Sequence, residues 1–424
     1  EYNKVSLQSQ VYTPRWVVQF LVENSLGKLY LEMYPDSEIA QRYKIANAPE
    51  TQERIPKDLH EIKVIDPACG SGNFLLYAFD FFYELYTDQV DNYAAEYDIE
   101  DIPELIIANN LHGIDLDDRA VQLAQLGLFI KAKKKNRNTG KLAFKVVSSD
   151  FYLPDYEIVK EIFAPPAELC EQKLFDGQEE LIREVWGELK FAYKFGSLIR
   201  INERIANKLK EAKDKKGKDE LFAWAEQEQH VSFTANFFSN LKAVVEEYAQ
   251  TQGSSFLTSK TRDAITFLEL ISTEYDVAMA NPPYTDSSDF GPELKKFIDD
   301  NYKKPYKFHT NLYATFIKRC YELTCKNGKV AMIHPRTFMF IKTFEDVRKF
   351  IIDKTHINIF VDYSLSNLFG TIMVDPAFYV LEKEASKERE ACFVSLDQYT
   401  RTPNEKYKKD FCLQALDDYI NGTE

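Results

Sequence analysis

Apolar positions along the chain fall into short runs broken by polar loops, and the runs alternate between a strand-like and a helix-like pattern. "IKVI" (62–65) reads as a short strand, and after a Gly-rich loop "FLLYAFDFFYELY" (74–86) is apolar nearly all round, which predicts a well-buried helix. Strand, turn and helix recur in "LHGIDLDDRAVQLAQLGLFIKA" (111–132), where Asp117 or Asp118 can cap the helix start. A third strand, "LAFKVV" (142–147), ends at Ser148-Ser149-Asp150. After a long interruption come the strand "YDVAMA" (275–280), a helix around 311–325, the strand "KVAMI" (329–333) and a helix over 344–354. The strands "INIFVDY" (357–363) and "AFYVLEK" (377–383) follow. Strands alternating with helices predict an α/β fold: a doubly wound, mostly parallel, Rossmann-like sheet whose ligands sit at the carboxyl ends of the strands. Asp66, Asp115, Asp150 and Asn281 all fall at such ends.

The expected division is an N-terminal helical segment over 1–60, two halves of one α/β domain over 61–154 and 261–400, a helical insertion over 155–260 rich in Glu, Lys and Gln, and a tail over 401–424. No apolar run approaches the roughly 20 residues that cross a bilayer, and no charged-then-apolar leader opens the chain, so a cytoplasmic location without membrane contact is expected. The six cysteines are scattered without a Cys-x-x-Cys pair, which argues for reduced thiols and no metal. A net charge of −14 opposes general affinity for phosphate, so any nucleic-acid contact must come from local basic patches. The chain starts at Glu1, and about 25 residues follow the last strand, fewer than the roughly 40 that fold unaided. It is therefore expected to be one part of a longer protein.

"VIDPACGSGNF" (64–74) puts Asp66 at a strand end, with Gly70 and Gly72 in a tight turn that lets a ligand approach the backbone. A dinucleotide fingerprint needs a third Gly where Leu75 stands, and a P-loop needs Gly-Lys-Ser/Thr, which is absent. S-adenosylmethionine fits better. Its carboxylate suits exposed amides, its ribose hydroxyls suit the acceptor-only Asp115, and its adenine amine suits Asp150 with Phe151 beside the ring. Pro67, Ala68, Asn73 and Phe74 of the loop, and Leu116 beside Asp115, complete the set, with Asn281 at its edge. The exit "NPPY" (281–284) is costly for a mere turn, because two prolines give no ladder N–H and force the strand to stop.

"DPACGSGNF" first, "NPPY" later and "QVYTPRWVVQFLVE" (10–23) ahead of both resemble the gamma-type DNA methyltransferases that make N6-methyladenine. The stretches "HTNLYATFIKRCYEL", "NGKVAMIHPRTFM" and "LFGTIMVDPAFYVLEK" are similar to the PglX methyltransferases of BREX phage-defence systems. The resemblance implies that Tyr12, Thr13 and Pro14 close over the methionine end of the cofactor, and that Phe369 is a second aromatic at the target base. Double-stranded DNA, and other phage-defence proteins, are the partners it implies, and the 424 residues alone are expected to be the catalytic part, binding S-adenosylmethionine but neither selecting nor efficiently methylating a DNA site.

In that chemistry Asn281 and the Pro282 carbonyl each accept one N6–H of a flipped adenine, Pro283 helps hold them in place, and Tyr284 stacks on the base. A cytosine-C5 enzyme would need a nucleophilic Cys after Pro, and none of the cysteines follows one. His334 is expected to be structural. Lys303, Lys304 and Lys307, interleaved with aromatics, are the expected DNA-backbone contacts, and "KAKKKNR" (131–137) reads as a helix C-terminal run. Two alternatives stay open: a cofactor-binding scaffold in a defence complex, or a methyltransferase acting on RNA or on protein glutamine, whose nitrogens are also planar.

Overall fold

The computed structural model describes residues 12–151, 155–159, 183, 186–201, 203, 255–363, 368, 374–384, 390–396 and 405–422. Phe369 and most of the expected insertion lie outside the described residues. Two compact units are present: Glu1–Gly113, Arg119–Val146 and Glu274–Glu424 in the first, and Ile114–Asp118 with Val147–Thr273 in the second.

Eight strands form one sheet in the order β3-β2-β1-β4-β5-β7-β6-β8. They are β1 Val64–Asp66, β2 Leu111–Asp115, β3 Lys145–Ser148, β4 Tyr275–Ala280, β5 Thr324–Pro335, β6 Thr355–Asp362, β7 Pro376–Lys383 and β8 Cys392–Ser395. β1 pairs parallel with β2 and β4, β4 with β5, and β6 with β8. β7 runs antiparallel between β5 and β6. Its apolar run, buried at every position but the last, reads alike in either direction, so strand sense was invisible in the sequence. β3 is shorter than "LAFKVV" suggests: Leu142 and Phe144 pack against the core without joining the strand.

The helices that matter for the site are α1 Arg15–Val22, continued through a π-helical turn into α2 Lys28–Met33, then α3 Asn73–Tyr93, α4 Asp118–Lys135, α5 Ser255–Ser272, α6 Pro292–Tyr302, α7 Leu312–Leu323 and α8 Glu345–Lys354. The N-terminal helices are tied down at two places. The Tyr30 and Ser37 hydroxyls donate to the buried Asp88 carboxylate of α3 (2.6 and 2.7 Å). Trp16 and Phe20 set their rings edge-on against Phe378 of β7 (5.7 and 5.2 Å). Thr13, just ahead of α1, is thereby carried on a rigid element.

A buried ion cluster adds a third tie. Lys329 of β5, with no exposed surface, donates to Glu32 of α2 and Glu382 of β7, both at 2.5 Å, and Arg54 donates to the other side of Glu32 (2.9 Å). Burial alone would raise the Glu32 carboxyl, but the adjacent Lys329 and Arg54 outweigh it and hold it below its ordinary value. Lys329→Met strands two carboxylates in the interior without their shared cation and should lower the unfolding free energy by about 3–5 kcal/mol. Urea denaturation reads this directly, and an unchanged midpoint would show that the cluster contributes nothing.

Candidate functional site

β4 is buried at all six positions and lies between β1 and β5. Pro282 and Pro283 end it, so Asn281 leaves the sheet at its carboxyl edge, half-buried. Its carboxamide is held from both sides. Nδ2 donates to the hydroxyl of the buried Thr13 (2.8 Å), and the Tyr284 hydroxyl donates to Oδ1 (2.5 Å). The amide oxygen faces Tyr284 and the amide nitrogen faces Thr13, and 2.5 Å suits an O–H···O bond. Burial raises the Tyr284 phenol well above its usual value, so it keeps the proton it donates. The loop beyond is fastened as well: the Leu312 amide donates to the Thr285 carbonyl (2.9 Å), and the Asn311 side chain caps α7.

Asp66 closes β1, nearly fully buried, and accepts the Ala68 N–H (3.1 Å). Gly70 and Gly72 both have positive φ, at 50° and 85°. A Cβ at Gly70 would meet nothing within 4 Å, whereas one at Gly72 would lie 2.8 Å from the Ala124 Cβ of α4. Gly70 therefore has open space where a side chain would stand, and Gly72 lets the loop press against a helix. Asn73 starts α3, whose first N–H groups follow the loop. Pro67 and Phe74 are buried, Ala68 is half-buried, and Pro14 is half-buried ahead of α1. Tyr12 is 69% exposed, unlike its neighbour Thr13.

Asp115, Leu116, Asp150 and Phe151 belong to the second unit. Asp115 ends β2 and accepts the Asp117 N–H (2.9 Å), while its carbonyl accepts from the Ser149 amide (2.9 Å). Leu116 lies over Gly196, where a Cβ would be 3.1 Å from its methyl. Asp150 is exposed two residues past β3, and Phe151 packs against Phe267 of α5 (5.1 Å).

The basic loop after α6 differs in detail from its sequence pattern. Lys303 and Lys304 are exposed, while Lys307 pairs with Asp346 of α8 (2.7 Å). Tyr302 and Phe308 are buried and Tyr306 packs on Phe350 (5.1 Å), so these rings serve the core and are not presented for base stacking. His334 has no exposed surface. Its Nδ1–H donates to the Pro335 carbonyl (3.1 Å), its Nε2 accepts from the Tyr379 hydroxyl (2.7 Å), and burial pushes its pKa down to about 4. A neutral imidazole with both nitrogens engaged is no general base. Among the described residues no cluster of three or more His, Cys, Asp or Glu is placed to hold a metal, and no helix is long and apolar enough to cross a membrane. The pairing of Thr13 with Asn281 had no local signal, since 268 residues separate them.

Comparison with known proteins bears on this arrangement. Residues 43–157 match the model of the MmeI DNA-methyltransferase domain. The chain is 27% identical to adenine-specific methyltransferase BrxX of Escherichia coli O9:H4 (strain HS), over 97% of this chain and 33% of that protein. It is 26% identical to adenine-specific methyltransferase PglX of Lacticaseibacillus casei (strain Zhang), over 80% of this chain and 26% of that one. The chain thus spans a third or less of these relatives' length. Two solved structures share its fold with a TM-score of 0.51 each. One is the DrdV–DNA complex (14% identity; 97% of this chain, 30% of that). The other is a nuclease-deletion mutant of the Type ISP restriction-modification enzyme LlaGI with a DNA substrate mimic (13%; 96% and 25%). Residues 109–369, more than half of the chain and including the β4 exit, match the model of the Eco57I restriction-modification methylase, and the chain belongs to that family.

Proposed function

We propose that this chain carries the catalytic centre of a DNA methyltransferase that uses S-adenosylmethionine to methylate the N6 amine of an adenine swung out of the duplex. The observation that supports this most is the Asn281 carboxamide, fixed at the end of a buried strand with its oxygen facing Tyr284. The N6 lone pair is delocalised into the adenine ring, so the protein's task is to localise it. An amide oxygen carries two lone pairs, so Asn281 Oδ1 can accept from the Tyr284 hydroxyl and from an N6–H together. The Pro282 carbonyl takes the second N6–H, and the amine is drawn toward tetrahedral geometry. Pro283 keeps both acceptors from moving, and the Tyr284 ring supports the base. When bound, S-adenosylmethionine supplies an electrophilic methyl group on sulfonium sulfur. For that group, Gly70 offers unobstructed backbone, and Asp66 with Thr13 and Asn281 borders the methionine portion. Asp115 is assigned to the ribose hydroxyls, and Asp150 with Phe151 to the adenine. BrxX and PglX are named adenine-specific methyltransferases, and this supports adenine over RNA guanine or glutamine as the target. Site-specific action on double-stranded DNA in phage defence, alongside other defence proteins, and a cytoplasmic location follow from the same reading. Lys303 and Lys304 are assigned to DNA phosphates, and Phe369 to the target base.

Asn281→Ala should abolish methyl transfer while leaving cofactor affinity nearly intact. Asp115→Ala should weaken cofactor binding by about 2–4 kcal/mol, the worth of two charge-assisted hydrogen bonds. Calorimetry combined with a labelled-methyl assay separates the two, and normal turnover by Asn281→Ala would remove the mechanism.

Thr13 is a positioning residue for the carboxamide. Thr13→Val keeps the shape and loses the acceptor, so Asn281 is free to turn its nitrogen toward the substrate. kcat should fall about tenfold, the cost of one hydrogen bond at about 1.4 kcal/mol. kcat should fall by a larger factor than the cofactor KM rises, and Thr13→Ser should restore the rate. An unaltered kcat in Thr13→Val, or a loss confined to KM, would contradict this.

A further inference from the structure

Phe340 and Ile341 are 60% and 46% exposed on the loop that leaves β5. β4 and β5 run parallel with Ala280 opposite Met332, so this loop and the Asn281 loop leave the sheet at the same edge. They are joined through Tyr313. Next to the α7 residue that binds Thr285, its ring stacks between His334 (4.6 Å) and Phe344 (5.6 Å), and its hydroxyl lies 3.3 Å from the Thr337 hydroxyl.

The exposed pair is also rigidly held. Arg348 of α8 donates to the Phe338 and Ile341 carbonyls (2.7 and 2.8 Å). Arg336, ion-paired to Asp362 (3.0 Å), sits under the Phe340 ring at 4.8 Å from its centroid. Buried rings surround the loop, with Phe338 and Phe344 turned inward, so Phe340 is held outward by its own supports. Exposed lysines flank it. Lys342 follows directly, and Lys303 and Lys304 sit on the loop that Lys307 fastens to Asp346. Lysine is depleted in protein–protein interface cores and favoured against phosphate, so a narrow apolar tip among lysines suits DNA better than a protein face.

We propose that Phe340, supported by Ile341, is a wedge that enters the base stack and occupies the space vacated by the flipped adenine. Apolar side chains inserted between bases are a recurrent way to stabilise an unstacked duplex. The inference rests on the base-flipping reading above and assigns to this chain the side chain that holds the duplex open.

The test uses the full-length protein with a duplex containing its modification site, located first by sequencing methylated DNA, and a second duplex in which the thymine opposite the target adenine is replaced by an abasic site. An adenine already unpaired costs less to extrude. Phe340→Ala should lose about tenfold or more in kcat/KM on the paired duplex and recover to within about threefold of wild type on the abasic one. Phe340→Leu should retain most activity on both, and Phe393→Ala, an equally exposed ring on β8, should behave as wild type. Equal losses on both duplexes would overturn the wedge in favour of a folding or catalytic defect. No loss on either would overturn it in favour of another protein surface covering Phe340. A wild type that methylates neither DNA would overturn the parent reading and this inference with it.

Discussion

A strand buried on every side that must stop at two prolines is the constraint from which the site follows. β4 cannot continue past Ala280, because Pro282 and Pro283 donate nothing to the ladder, and it cannot turn freely, because their φ angles are fixed. Asn281 is left at the rim of the sheet, where the strand ends. Thr13 and Tyr284 then take its amide hydrogen and its oxygen, converting a flexible side chain into a fixed acceptor. Preorganisation of this kind removes a rearrangement that would otherwise raise the barrier.

The clamp depends on the N-terminal segment staying in place. Thr13 precedes α1, and α1 and α2 are held by Asp88, by Phe378 and by Lys329. Each contact joins residues far apart in sequence, so the two sides of the carboxamide are linked by the fold and not by local chain geometry.

Much of this was legible in the residues. The alternation of strands and helices, Asp66 and Asn281 at strand ends, and the buried character of α3 all follow from periodicity and from the positions of Gly and Pro. What escaped has physical reasons. The direction of β7 escaped because a strand buried on both faces carries no mark of its sense. Leu142 and Phe144 were assigned to a strand because packing and pairing both select apolar residues. The aromatics around Lys303 and Lys304 were assigned to the surface because a basic neighbour does not reveal which way a ring points. Gly72 was grouped with Gly70, although Ala124 fills its space. Lys329, Glu32 and Glu382 carry no local mark of the buried ion cluster they form, because their partners lie far away in the sequence.

The catalytic claim comes down to which atom receives a methyl group. The full-length protein is incubated with methyl-labelled S-adenosylmethionine and a mixture of unmethylated duplex DNA, RNA and protein, and each fraction is then hydrolysed and resolved by mass spectrometry. The account predicts label in N6-methyldeoxyadenosine and in no other product. Label in an RNA base or on glutamine, or cofactor binding with no transfer to any fraction, would contradict it.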